Sequence, residues 1–473
     1  NKYAVWLSCN NPSTNPMADA TLSPVEAADA ARKLWLTATC QSHLDEVERL
    51  YRWALSTKDE RFASERAVSE DRRNDGRGDD GEDGPFVGSD CNDNGNDDVG
   101  PPMKRMKSSR GGLGCGLNRE QYNRVGERFA LLLCQSGRSK RARRGLASMG
   151  FTCRLAEKVL DYPSDDDYNS KRKDQKSIDE EKSSESKPPC QIIDGFLSEL
   201  ESERLRLVFQ SPTSSYWTDH RYEVEPPSPY FSYVISLEEI RNGRHRFGFI
   251  GDLTQKIASC PLLNGRFPKL RSNAKFVEIW AHNRPHASGH QMHFDSDDEG
   301  RGGVRHPIIS TILYVSSEDK GKTRGDKPTG GPSLVTNQKL TDVRLASRGW
   351  MAHPRPRRLV AFDGRCLHGV VPGKGFRGGR RVTLMMAFWE EIRIREGTGP
   401  GSARPFPMWM DGNSSWASQL VSPLTDKDGH CSDHESCVET DPIKLDKIYE
   451  TLDGRPWQRG MGMPSYDEVF QGF

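Results

Sequence analysis

Gly289-His290-Gln291-Met292-His293-Phe294-Asp295-Ser296-Asp297-Asp298 is the stretch on which the reading of this chain turns. On a β-strand, side chains alternate between faces. His293 and Asp295 would then share one face, with Phe294 pointing the other way into packing. An imidazole and a carboxylate on one face are two ligands for a metal. A second histidine from another strand would complete a 2-His-1-carboxylate set, which fills one side of an octahedral ion and leaves the other open to substrate and oxygen.

His368 answers that description. It stands in Phe362-Asp363-Gly364-Arg365-Cys366-Leu367-His368-Gly369-Val370-Val371-Pro372-Gly373, after an apolar run and before a Gly-rich turn. Further on, Arg381 opens the next apolar run, where a hairpin would bring it back past the metal. A guanidinium can grip a carboxylate through two parallel hydrogen bonds, as an acidic cosubstrate would require. Arg380 is the adjacent alternative, and strand alternation lets only one of the two face inward.

The surrounding residues read as strands. Phe276-Val277-Glu278-Ile279-Trp280, Ile308 to Val315, Leu359-Val360-Ala361-Phe362 and Val382 to Trp389 are β-branched or apolar runs bounded by Gly, Pro and Asp. Short strands of this kind suit a barrel or a two-sheet jelly roll. Upstream, Gln191-Ile192-Ile193-Asp194-Gly195-Phe196-Leu197-Ser198 reads as strand, turn and helix start, with Ser198 and Glu201 placed for a capping box. There is no Gly-rich nucleotide-binding loop.

The order of His293-Phe294-Asp295, strand, Gly330-Gly331-Pro332-Ser333-Leu334, strand, His368 and Arg381 resembles the iron(II)- and 2-oxoglutarate-dependent dioxygenases, in particular their prolyl 4-hydroxylase-like branch. Tyr314-Val315 resembles that family's strand ending in Tyr-Leu-Asn. Gly330-Gly331 resembles its Gly-Gly-x-Thr segment, and Ile192 to Leu197 the start of its domain. The resemblance spans about residues 189–395. It implies a mainly β catalytic domain, a double-stranded β-helix (jelly roll) with flanking helices, and Fe(II) on His293, Asp295 and His368. Arg381 would pair with the distal carboxylate of 2-oxoglutarate, with Tyr314 as a further cosubstrate contact. The implied reaction consumes O2 and 2-oxoglutarate, releases succinate and CO2 and hydroxylates a C–H bond, with ascorbate as a candidate reductant. A protein or peptide side chain, proline above all, is the substrate implied. A nucleic-acid base, a small molecule or an inert binding module are the alternatives. Asp295 argues against the halogenating relatives, which carry a small residue there. The collagen-type enzymes use lysine where this chain has Arg381, and tyrosines where it has His286, Gly289 and His290.

At 473 residues the chain exceeds one ordinary core. With 34% hydrophobic residues and a mean hydropathy of -0.76, part of it is expected to be disordered. The plan that follows is a helical hairpin and interaction element at 1–65, an acidic, Gly-rich linker at 66–117, and a helical segment with a basic cluster at 118–162. A charged linker at 163–187, the catalytic domain at 188–395 and an aromatic-rich extension at 396–473 packed on that domain complete it. Within 118–162, helices are expected from Tyr122 to Cys134 and from Leu146 to Leu160. A formal charge of +1 names no nucleic-acid or acidic partner, although Lys104-Arg105-Met106-Lys107 and Lys140-Arg141-Ala142-Arg143-Arg144 could serve nuclear import or nucleic-acid contact. Eleven scattered cysteines form no disulfide framework, and no apolar run would cross a membrane. Reduced thiols in the cytoplasm or nucleus are the expectation. The sequence leaves the oligomeric state open.

Three other metal readings compete. Asp90 to Gly95 imitates the first half of a calcium loop, but Pro101 stands where a bidentate glutamate is required. His430, Cys431, His434 and Cys437 lack clear zinc-ligand spacing. His286, His290 and His293 would share a face only on a helix, which Pro285 and Gly289 oppose. His282 and His306 are read as ordinary polar residues. The run Lys320 to Lys327 is read as a connection that could cover the active site.

Overall fold

The structure is a computed structural model describing residues 26–28, 30–31, 47–52, 55, 119–165, 187–210, 214–222, 230–297, 303–315, 329–375, 379–396, 401–407, 415–424, 437–455 and 468–472. The calcium-like stretch, Lys104 to Lys107, Lys320 to Lys327 and His430 to His434 lie outside them. The chain divides into two units, Asn1–Leu34 with Cys40–Val125, and Trp35–Thr39 with Gly126–Phe473. In the first, helical residues bury Ala27, Ala28, Ala30, Ala31, Val47, Leu50 and Tyr51, one apolar face of each helical stretch.

Two helices, Arg119–Gln135 and Ser139–Ser148, precede the first strand, β1 (Cys153–Leu155). The expected helix from Leu146 to Leu160 is therefore interrupted. The chain leaves the helix at Ser148, turns through Gly150 at φ +99°, and returns to helix only at Glu157–Leu160. Distant pairing overrides the local pattern, because β1 lies between β15 (Tyr449–Thr451) and β16 (Val469–Phe470).

The body of the second unit is two facing sheets. β2 (Cys190–Asp194) and β3 (Tyr233–Ser236) lead into eight successive strands. These are β4 (Phe276–Pro285), β5 (His290–His293), β6 (Ile309–Tyr314), β7 (Ser333–Lys339), β8 (Gly349–Ala352), β9 (Leu359–Asp363), β10 (Cys366–Val370) and β11 (Arg380–Trp389). β12 (Arg404–Pro405), β13 (Val438–Thr440) and β14 (Ile443–Leu445) extend the edges. One sheet runs β12-β3-β4-β11-β6-β9-β2-β13 and the other β14-β8-β7-β10-β5. Counted from β4, the central orders are 1-8-3-6 and 2-7-4-5, so consecutive strands alternate between sheets except at the β7–β8 hairpin. That is the winding of a double-stranded β-helix, or jelly roll.

Alternation along β11 shows how the sheet is used. Val382, Leu384, Met386 and Phe388 join a core shared with the helices Glu199–Phe209, Arg244–Ser259 and Ser415–Val421. Met385, Ala387 and Trp389 face the interior between the sheets with Trp280, Ile312, Tyr314, Val360 and Phe362. The start of the domain folds as its sequence implies: Gly195 takes φ +66° and Ser198 and Glu201 form the reciprocal capping box. Trp416 and Phe470 of the C-terminal region are buried, whereas Trp409, Trp457 and Tyr466 lie outside the described residues.

Candidate metal centre

β5 and β10 are antiparallel neighbours, and their register sets His293 directly opposite His368. The two ring centroids lie 4.3 Å apart. Asp295 follows from just beyond β5, since the strand ends at His293 and only the first residue of the triplet is within it. The carboxylate nonetheless reaches the same point, with Oδ1 3.7 Å from His293 Nε2 and 3.6 Å from His368 Nε2. What replaces strand alternation is a pair of hydrogen bonds. Ser310 Oγ on β6 donates to Asp295 Oδ2 at 2.5 Å, and the His306 Nδ1–H donates to the Asp295 carbonyl at 2.7 Å.

Each imidazole is oriented from its own strand. His293 Nδ1 lies 2.8 Å from the Gln291 carbonyl and His368 Nδ1 3.1 Å from that of Cys366. A carbonyl only accepts, so each Nδ1 carries a hydrogen and each ring turns its Nε2 edge toward Asp295. His368 Nε2 is buried and has no hydrogen-bond partner among the described residues. Burial, and then the neighbouring His368, hold the His293 imidazole below its ordinary pKa, which keeps its Nε2 lone pair available at neutral pH. Two imidazole nitrogens and one carboxylate oxygen converging within 4.8 Å fit a divalent ion.

The rival histidine set does not assemble. His286 Nδ1 accepts from the Gly330 N–H at 2.8 Å, and its Nε2–H donates to the Lys374 carbonyl at 3.0 Å. Both nitrogens are thus engaged away from His293. His282 and His290 continue a row of rings from the centre, with centroid spacings of 5.2 Å between themselves and 4.6 Å from His290 to His293. His282 Nε2 accepts from the Trp280 indole at 3.2 Å.

Alternation separates the two arginines. Arg380 is exposed and donates to the Asn283 carbonyl at 2.7 Å, whereas Arg381 is 3% exposed and points into the interior. Its Nη2 donates to Ser333 Oγ at 3.0 Å, and its guanidinium lies 5.3 Å from the centre of the Tyr314 ring. The Tyr314 hydroxyl donates to the Ala352 carbonyl at 3.3 Å, so the Ser333 hydroxyl donates to Tyr314 at 3.0 Å. No carboxylate partners Arg381 among the described residues, and its Nε is a buried donor without an acceptor. Thr383 Oγ1, two residues along the same face, is also buried and unpartnered. A buried cation without a counterion is costly, and a carboxylate-bearing ligand would offset that cost. Gly330 adopts φ +98°, and a Cβ there would stand 2.4 Å from Arg381 Cδ, so the Gly-Gly pair lets the backbone lie against the arginine stem.

Sequence reasoning did not single out Ser310, Ser333, Thr383 or Gln471. Inward parity from Arg381 points to Thr383, and Ser333 occupies the threonine position of the Gly-Gly-x-Thr pattern. Gln471 carried no local signal. Its side-chain oxygen accepts the Met292 N–H at 2.7 Å, on the outer edge of β5.

Beside Asp295 lies a cavity of about 150 Å³ lined in part by Tyr230, Glu278, Trp280 and Trp389. Burial pushes the Glu278 carboxyl up to about 7, opposed by a 2.5 Å hydrogen bond from Ser232 and aided by Asp295 and Asp297. No helix among the described residues is long and apolar enough to cross a membrane. The six described cysteines are all free.

No family model matches the chain, and no curated protein matches it. Solved structures do align with it. A prolyl-4-hydroxylase from Pseudomonas putida covers 43% of this chain and 93% of its own at 18% identity and a TM-score of 0.26. A prolyl hydroxylase from Trichoplax adhaerens, in complex with a hypoxia inducible factor oxygen degradation domain peptide fragment, covers 43% and 84% at 14% identity and a TM-score of 0.24. Iron-bound HygX from Streptomyces hygroscopicus covers 45% and 91% at 13% identity and a TM-score of 0.24.

Proposed function

We propose that this chain is an Fe(II)- and 2-oxoglutarate-dependent dioxygenase that hydroxylates a side chain of a protein, proline being the favoured target. The observation that carries the reading is one jelly-roll interior holding both the convergent His293, Asp295 and His368 and the buried Arg381, which lacks a carboxylate partner among the described residues. A hydrogen-bonded His-Asp-His triad would place a proton between the donors. Here each Nε2 stands 3.6–3.7 Å from Asp295 Oδ1, beyond hydrogen-bond reach, so an ion accounts for the geometry better. With 2-oxoglutarate and oxygen bound, iron would supply the oxidising chemistry, giving succinate, CO2 and a hydroxylated product.

The chain's own residues have separable tasks. His293, Asp295 and His368 would hold the ion on one side only, and the Asp295 carboxylate occupies the position a halide would need. Ser310 keeps Asp295 Oδ1 turned inward by binding Oδ2. Arg381, with Ser333, Tyr314 and Thr383 around it, would receive the distal carboxylate of the cosubstrate. Phe362, whose ring centre is 4.6 Å from that of His368, helps make the interior apolar and limits water. The His293 side chain is 30% exposed against 6% for His368. The centre is therefore reached by solvent on the β5 side, where a segment of another protein would be presented.

The test is to purify the protein anaerobically, add Fe(II) and 2-oxoglutarate, admit oxygen and measure succinate. Wild type should release it, and His293→Ala should not. Equal trace release from both would sink the proposal. Mass spectrometry of peptides and oligonucleotides after incubation decides the substrate class, a gain of one oxygen atom on a peptide being the expected result.

A further inference from the structure

We propose that a groove of about 890 Å³, framed by the Ser139–Ser148 helix, β1, the β7–β8 turn and β15, binds an acidic, partly apolar segment of the protein substrate. The proposal rests on the reading of a protein substrate, and it concerns a surface that shares no residue with the metal centre. Its cationic lining is Lys140, Arg143, Arg154, Arg344, Lys447 and Arg455. Three of these are already paired: Arg154 and Lys447 with Glu450 at 2.7 and 3.1 Å, and Arg455 with Asp453 at 3.8 Å. Lys140, Arg143 and Arg344 have no hydrogen bond or ion pair from their side chains among the described residues. Lys140 and Arg143 are three residues apart on one helix and so share a face, which the groove puts opposite Arg344 of the β7–β8 turn.

The basic cluster that the sequence offers for nuclear import or nucleic acid is thus partly turned into a concave site. The helix start adds to its sign, because the first turn holds no acidic residue and Arg138 makes no side-chain cap. Of the lining carboxylates, Glu450 is paired as above and Asp446 lies 4.0 Å from Lys444. The unpaired charge is mainly positive. Val343, 65% exposed, lies beside the cations and gives an apolar side chain of a ligand something to cover. An acidic peptide with interspersed apolar residues matches both features. A nucleic acid matches less well, since Tyr449 is the sole aromatic residue of the lining on which a base could stack.

The experiment is fluorescence anisotropy on the full chain without iron, using a labelled peptide of about twelve residues composed of Asp, Glu, Leu and Val. Binding is expected, and it should weaken at least about tenfold in a Lys140→Glu/Arg143→Glu variant and in Arg344→Glu. Unchanged anaerobic iron and 2-oxoglutarate titrations in those variants would show that they fold. No binding, or binding that the charge reversals leave intact, overturns the proposal. So does tighter binding of a single-stranded oligonucleotide through the same three residues. Because the assay needs no turnover, peptide binding without succinate release would fail the enzymatic reading while keeping this groove as a peptide site.

Discussion

Gln471 holds the backbone of Met292, the residue next to the proposed metal ligand His293, through a 2.7 Å hydrogen bond. β5 is four residues long and forms the edge of its sheet, so its outward N–H groups lack a neighbouring strand. Gln471, itself 7% exposed, supplies that partner from the C-terminal region. Removing it would leave a buried donor unmet, at a cost of about 1–3 kcal/mol concentrated at the ligand strand. Gln471→Ala should therefore weaken Fe(II) binding by about tenfold, and Gln471→Glu, which keeps an acceptor, should restore most of it. Equal iron affinity in wild type and Gln471→Ala would show that β5 needs no such support.

Ser310 acts on the carboxylate in a similar way. With Oδ2 occupied by the Ser310 hydroxyl, Asp295 presents Oδ1 to both histidines. Ser310→Ala should free the carboxylate to rotate and lower iron affinity by about 10–100-fold, measured by anaerobic titration. The alanine fits the fully buried site, so a large loss of thermal stability in the metal-free protein would point instead to a general packing defect.

Arg381 and Arg380 should separate cleanly in a cosubstrate-binding assay. Loss of the buried guanidinium in Arg381→Ala is expected to weaken 2-oxoglutarate binding by roughly 2 kcal/mol or more, about thirtyfold, whereas Arg380→Ala should change it little. Gly330→Ala should mimic the first in milder form, because its new Cβ would collide with the arginine stem and its φ is unfavourable for alanine. An Arg380→Ala effect as large as that of Arg381→Ala would contradict the inward placement.

Glu278 predicts a pH dependence of stability. Its folded-state pKa is raised from 4.5 to about 7, so the folded protein retains a proton there that the unfolded chain has lost. Its contribution is full below about pH 4.5, declines as pH rises through about 7, and amounts to something on the order of 3 kcal/mol. In metal-free protein, Glu278→Gln should stay neutral throughout and flatten the fall in stability between about pH 4.5 and 7 in urea melts. A wild-type and variant pair with parallel pH profiles would rule this out.

Some of this molecule is written locally. The β-branched and apolar runs of β4, β6, β9 and β11, the capping box at Ser198 and the residue types at 293, 295 and 368 all express short-range rules, because strand propensity and helix capping depend on neighbours in sequence. Strand parity also stated that only one of Arg380 and Arg381 could face inward, without saying which. The rest depended on contacts between residues far apart in the chain. Leu146 to Leu160 has helical spacing, yet β1 forms because β15 and β16 offer it backbone partners from about three hundred residues away. Asp295 reaches the ligand position from outside its strand because Ser310 and His306 bind it. Gln471 meets Met292 only after the C-terminal region has folded back. Local sequence could name the donors of the centre. Their orientation, support and separation from the basic groove follow from how the sheets close, since hydrogen bonds and burial act on spatial neighbours whatever their distance along the chain.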